Sequence, residues 1–196
     1  MQDNEPPGEL TFSKKTDFVG EDKSGILAAK PRARLRLFLI ITGLVVIFDQ
    51  LSKLWMYVNR PPTHIELLPG FLDLVYFENT GGLFGLFHGH TQVFIGLGIA
   101  SVIAILVFLH YFPPSTTLGV LSFALILGGA AGNLIDRIRL GYVIDFLRMH
   151  VQQAFFWPAF NVADAALTVG VLVLIYYFYK YGLLGKTHER RLKPQD

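Results

Sequence analysis

The sequence predicts an all-α polytopic membrane protein: four transmembrane helices carrying a small extracytoplasmic β platform. Three observations lead there. Of 196 residues, 52% are hydrophobic and 16% charged, with a mean hydropathy of +0.44, a balance that long apolar runs produce and soluble domains rarely do. Four such runs each approach the ~20 residues that cross about 30 Å of hydrocarbon. Between the first two lies a stretch, broken by proline and glycine, whose apolar residues roughly alternate. The net charge of +2 is too small to predict nucleic acid as a partner, and the lack of cysteine rules out disulfides, thiolate metal sites and a cysteine nucleophile.

Taken in order, residues 1–31 are polar, without a sustained apolar period, and read as a disordered cytoplasmic tail. Lys30, Arg32, Arg34 and Arg36 precede the first span, about Leu37 to Val58. A signal peptide would start similarly, but no small-x-small cleavage site follows; Asp49-Gln50-Leu51-Ser52-Lys53 does. Residues 59–90 form the expected platform. Pro61-Pro62 ends the helix, Pro69-Gly70 marks a turn, and Phe71 to Phe77 has strand character. A glycine-rich loop, Asn79 to Gly85, leaves that strand.

The second span, about Val93 to Phe112, ends at Pro113-Pro114, and a short loop leads to the third, about Leu118 to Ile135. Short connections favour antiparallel neighbours. Arg137 to Pro158 is aromatic-rich and reads as an amphipathic segment lying on the membrane surface. The fourth span runs from about Asn161 to Leu184, and 186–196 is a basic cytoplasmic tail. The membrane unit is thus expected over 32–185. Basic residues at both ends predict cytoplasmic termini, although Arg137, Arg139 and Arg148 weigh against this.

That topology brings the intramembrane polar residues to one face. Asp49 and Lys53 end span one, Asn133, Asp136 and Arg137 end span three, and Asn161 and Asp164 begin span four. Asp145 lies between the last two. Ionisable groups at bilayer depth are costly and persist when they pair, line a cavity or carry function. Two neighbouring carboxylates share a proton, because both cannot ionise cheaply. Asp145 and Asp164 therefore read as an acid–base pair able to activate water against a carbonyl. The plain alternative for Asp164 is an acidic residue in a helix's first turn behind an Asn161 cap. Asp49 and Lys53 have the spacing of a structural ion pair, and Gly128, Gly132, Gly96 and Gly98 read as helix-packing positions. Arg137 either pairs with Asp136 or a headgroup, or braces the site. His88 and His90 lack an evident third ligand, so neither metal nor cofactor is expected. A proton-coupled transporter would also keep intramembrane aspartates, but the polar residues here do not continue toward the cytoplasmic side.

Five motifs together resemble the lipoprotein signal peptidase (signal peptidase II) family: Asp49-Gln50-Leu51-Ser52-Lys53, Asn79-Thr80-Gly81, Gly132-Asn133-Leu134-Ile135-Asp136-Arg137, Gly141-Tyr142-Val143-Ile144-Asp145-Phe146 and Phe160-Asn161-Val162-Ala163-Asp164. The resemblance spans about residues 37–182. It implies a four-span aspartyl endopeptidase of the bacterial inner membrane, opening near the outer face. Such an enzyme cleaves prolipoproteins N-terminal to a cysteine that carries diacylglycerol. It further implies Asp145 and Asp164 as catalytic residues, with Asp49, Lys53, Asn79, Gly81, Asn133, Asp136, Arg137 and Asn161 binding substrate or supporting the site. Lipidated prolipoproteins, membrane lipid and globomycin-type inhibitors are the implied partners. One departure stands out: Gly82-Leu83 occupies a place where the family usually has two alanines, and Leu83 is expected to narrow the groove.

Overall fold

Helix α1 (Pro31–Val58) opens on a proline, whose missing N–H costs nothing in a first turn. The computed structural model describes residues 31–80, 91–151 and 154–181. Expectations for the two tails, for Gly81, Gly82 and Leu83, and for His88 and His90 lie outside them. Because α1 starts earlier than the apolar run, Arg32, Arg34 and Arg36 belong to the helix itself. Arg34 reaches across to donate to the Pro114 carbonyl at 3.2 Å.

Helix α2 (Thr91–Tyr111) ends just before Pro113-Pro114. Helix α3 (Thr117–Leu140) is capped by the Thr116 side chain, which accepts from the Gly119 N–H at 3.2 Å. It runs past the expected end at Ile135, so Asp136, Arg137 and Arg139 are still helical, and Gly141 stops it at φ 82°. Helix α4 (Val162–Lys180) starts one residue after its cap, Asn161. All four helices are long and apolar enough to cross a membrane. Large apolar side chains on α1 and α2, such as Leu39, Phe48, Ile103 and Leu106, point outward, where a bilayer would cover them.

Helix α3 is the hub, packing on α1, α2 and α4. Its glycines permit this: a Cβ on Gly128 would lie 2.7 Å from Val45 Cβ, and one on Gly132 would lie 2.5 Å from Asp49 Oδ2. Gly98 sits against Leu134, whereas a Cβ on Gly96 would meet nothing within 4 Å. The expectation of a packing role for Gly96 is therefore corrected; it faces outward.

At the end where α1 and α3 finish and α2 and α4 begin lies one antiparallel sheet. Strands β1 (Ile65–Leu68), β2 (Leu72–Asn79), β3 (Val143–Val151) and β4 (Phe155–Phe156) stand in that order. The β1–β2 hairpin turns at Pro69-Gly70, with Gly70 at φ 76°. The surface segment expected over 137–158 is not what forms. Its first part continues α3, and Val143–Val151 pairs with β2 as a central strand. The run V-I-D-F-L-R-M-H-V is half buried, and β2 offers it a ladder that a helix on the surface would lack. Met56 from α1 packs with Ile144 and Phe146 beneath the sheet, fixing β3 to the helices.

Candidate active site

Two short stretches carry the aspartates. Asp145 lies on β3 opposite Phe77, two residues along β2 from Asn79. Asp164 is the third residue of α4, where its backbone N–H bonds the Asn161 side chain and its carboxylate returns to the Asn161 N–H. That is a complete capping box, so the plain reading of Asp164 as a helix-start residue is correct. It does not exclude a second role, since only Oδ2 is used in the cap.

Asparagines join the two carboxylates. Asn161 Nδ2 donates to Asp145 Oδ1 at 2.7 Å, and Asn79 Nδ2 donates to Asp145 Oδ2 at 2.9 Å. Asn133 Nδ2 donates to Asp164 Oδ1 at 2.7 Å. Each carboxylate thus accepts at both oxygens, and Asn161 touches both. Asp145 is 1% exposed, while Asp164 is partly open. Burial, reinforced by the nearby Asp164 charge, pushes the Asp145 carboxyl up to about 7 against the pull of Asn79 and Asn161.

Behind the pair is a buried cation with two more carboxylates. Lys53 Nζ lies 2.8 Å from Asp49 Oδ2, 2.9 Å from Asp136 Oδ2 and 3.0 Å from Asn133 Oδ1. Asp49–Lys53 is the expected ion pair, enlarged by Asp136. Arg137 does not pair with Asp136. Its Nη1 reaches the Asn133 carbonyl at 3.5 Å, and its guanidinium lies over the Phe94 ring of α2 at 5.2 Å. Asp49, Lys53, Asn79, Asn133, Asp136, Asp145, Asn161 and Asp164 are therefore brought together, Arg137 stands at the margin, and Gly81 is outside the described residues.

One member was missed. Gln50 Nε2 donates to Asp136 Oδ1 at 2.9 Å, to Asp49 Oδ2 at 3.2 Å and to the Gly132 carbonyl at 3.3 Å. An uncharged amide raises no alarm in an apolar run. Its place beside Asp49 was the available signal.

In front of the pair a cavity of about 930 Å³ runs down between α2 and α4, floored by α3. Phe94, Leu97, Ile126, Ala130 and Leu167 make its apolar walls, and Asn79, Asp145 and Asp164 its polar head. Among the described residues no group of three His, Cys, Asp or Glu side chains is arranged to hold a metal ion. Two carboxylates of unequal burial at the head of an apolar groove can divide acid and base roles over an extended chain.

The profile of the family described as Signal peptidase (SPase) II matches residues 41–180, which span every site residue named. A protein from Moorella thermoacetica called lipoprotein signal peptidase is 45% identical over 138 residues, covering 70% of this chain and 89% of that protein. Another so named, from Syntrophotalea carbinolica, is 41% identical over 157 residues, covering 77% and 96%. A solved structure described as "Bacterial membrane enzyme structure by the in meso method at 2.3 A resolution" matches with a TM-score of 0.67 at 29% identity, covering 81% of this chain and 94% of that one. A second, described likewise at 1.9 A resolution, gives 0.64 at 31% identity, covering 72% and 91%.

Proposed function

Because the chain belongs to the signal peptidase II family, which cleaves lipoprotein signal peptides, we propose that Asp145 and Asp164 carry out that cleavage as an aspartic dyad without metal. The observation that carries the reading is their asymmetry at the head of one groove. Asp164 sits in the first turn of α4, where the helix dipole favours an anion. Asp145 is desolvated and keeps its proton up to about pH 7.

Asp164 takes a proton from water as the water oxygen attacks the scissile carbonyl. Asp145 gives its proton to the carbonyl oxygen, leaving a neutral gem-diol. One diol proton then returns to Asp145 while Asp164 protonates the leaving nitrogen, and the C–N bond breaks. Both carboxyls end as they began, with an acid and an amine as products.

The apolar groove between α2 and α4 suits an extended apolar signal segment. We place the cut N-terminal to a cysteine already carrying diacylglycerol, with the lipid chains left in the bilayer. Globomycin-type inhibitors would compete for the same groove. Residues 32–185 act as the peptidase domain, with cytoplasmic tails at 1–31 and 186–196 and the dyad near the outer face of the inner membrane.

Asp145→Asn and Asp164→Asn should each abolish cleavage of a diacylglyceryl prolipoprotein in detergent, with thermal unfolding still cooperative. EDTA should leave the wild-type rate unchanged. Substantial turnover by either variant, or restoration of chelated enzyme by a divalent ion, overturns the proposal.

A further inference from the structure

The four aspartates of the site fall into two matched pairs. Asp136 Oδ2 accepts from the Ile144 N–H at 3.3 Å, the residue just before Asp145. Asp49 Oδ1 accepts from the Ala163 N–H at 2.9 Å, the residue just before Asp164. Each inner carboxylate thus holds the backbone step leading into one outer carboxylate.

Lys53 unites the inner pair. An ammonium has three donors, and all three are committed: one each to Asp49, Asp136 and the Asn133 amide oxygen. The third bond also orients an amide. Asn133 turns its oxygen toward Lys53 and the Asn161 amide, at 3.2 Å, so its NH2 faces Asp164. A flipped Asn133 would set NH2 against NH3+ and an oxygen against a carboxylate. At 2% exposure Lys53 has little water to take up a lost bond.

We propose that Lys53 is a positioning residue: one ammonium, through Asp49, Asp136 and Asn133, sets the separation of Asp145 and Asp164 and the direction of the amide between Lys53 and Asp164. This rests on the dyad reading. It goes beyond a structural ion pair by assigning the lysine's donors, and not just its charge, to the reaction. The charged groups that act on it are Asp49 on α1, Asp136 on α3, Asp145 on β3 and Asp164 on α4, and Arg137 on α3 faces the same aspartates.

The test is chemical rescue of Lys53→Ala in detergent, following kcat, KM and the pH–rate profile. Displacing a reacting group by about 1 Å costs about a hundredfold, so kcat should fall by about that factor while KM stays near wild type. The profile should move to higher pH, because a cation facing two acids is gone. Ethylammonium should restore kcat and profile together. Tetramethylammonium, equally charged but without an N–H, should return the profile toward wild type without restoring kcat. Unaltered kcat in folded Lys53→Ala, a loss confined to KM, or equal rescue by both cations overturns the proposal. If Lys53→Ala does not fold, Lys53→Arg decides. It keeps the charge, but a planar guanidinium cannot serve three acceptors around one point. Reduced kcat at an unshifted profile supports the positioning role, and wild-type kcat refutes it. Activity in Asp145→Asn or Asp164→Asn would instead sink the dyad. Inactive dyad variants beside normal Lys53 variants would sink the positioning role alone.

Discussion

Asn79 illustrates how much a single donor can decide. Its amide bonds Asp145 Oδ2 at 2.9 Å and draws the carboxyl down against burial. Loss of that donor favours the protonated acid, so Asp145 would hold its proton to higher pH. In Asn79→Ala the alkaline limb of kcat, expected near pH 7 in the parent, should move upward, and a pH–rate profile checks this. A limb that stays put or falls would show that Asn79 does not tune the acid. At this scale most of the site was legible, because a carboxylate or lysine in an apolar run needs a reason. Gln50 was not, since an amide passes in such a run without one. Nor was the contact of Asp73 on β2 with Arg148 at 2.8 Å and His150 at 3.2 Å on β3. Those residues are far apart in sequence, and only the strand pairing brings them together. Arg148 and His150 hold the Asp73 carboxyl below its ordinary range despite burial.

Among the elements, α3 makes the tightest approach. A methyl on Gly132 would press on the Asp49 carboxylate at 2.5 Å and on Ala163 Cβ at 3.3 Å, so it would disturb α1 and α4 at once. Gly132→Ala should lower stability by about 1–3 kcal/mol, the usual range for overpacking, and should lower kcat as well. Gly96→Ala has open space around it and should be neutral or gain up to about 1 kcal/mol from helix propensity. Thermal unfolding of both proteins in one detergent separates them, and an equal loss would mean that α3 packs differently. The helices were readable from length and apolar content. Strand β3 was not, because Val143–Val151 mixes buried and half-buried residues without strict alternation. Its strand character depends on β2, about 70 residues earlier in the chain.

For the molecule as a whole, we propose that both termini are cytoplasmic, the side that the basic residues around α1 and after α4 favour. Cysteines introduced at Gly8 and Lys193 should resist an impermeant thiol reagent in intact cells, whereas one at His64 should react. Labelling at either terminus without lysis would invert the arrangement. The groove was invisible in the sequence, because its walls come from α2, α3, α4 and the sheet and no linear pattern records their meeting. Its position has a kinetic corollary. A cleft walled by two helices with apolar outer faces opens sideways, so its substrate would arrive by diffusion within the plane of the bilayer. The concentration that matters is then a mole fraction among lipids, and spreading the same substrate through more lipid slows the enzyme although nothing in the aqueous phase has changed.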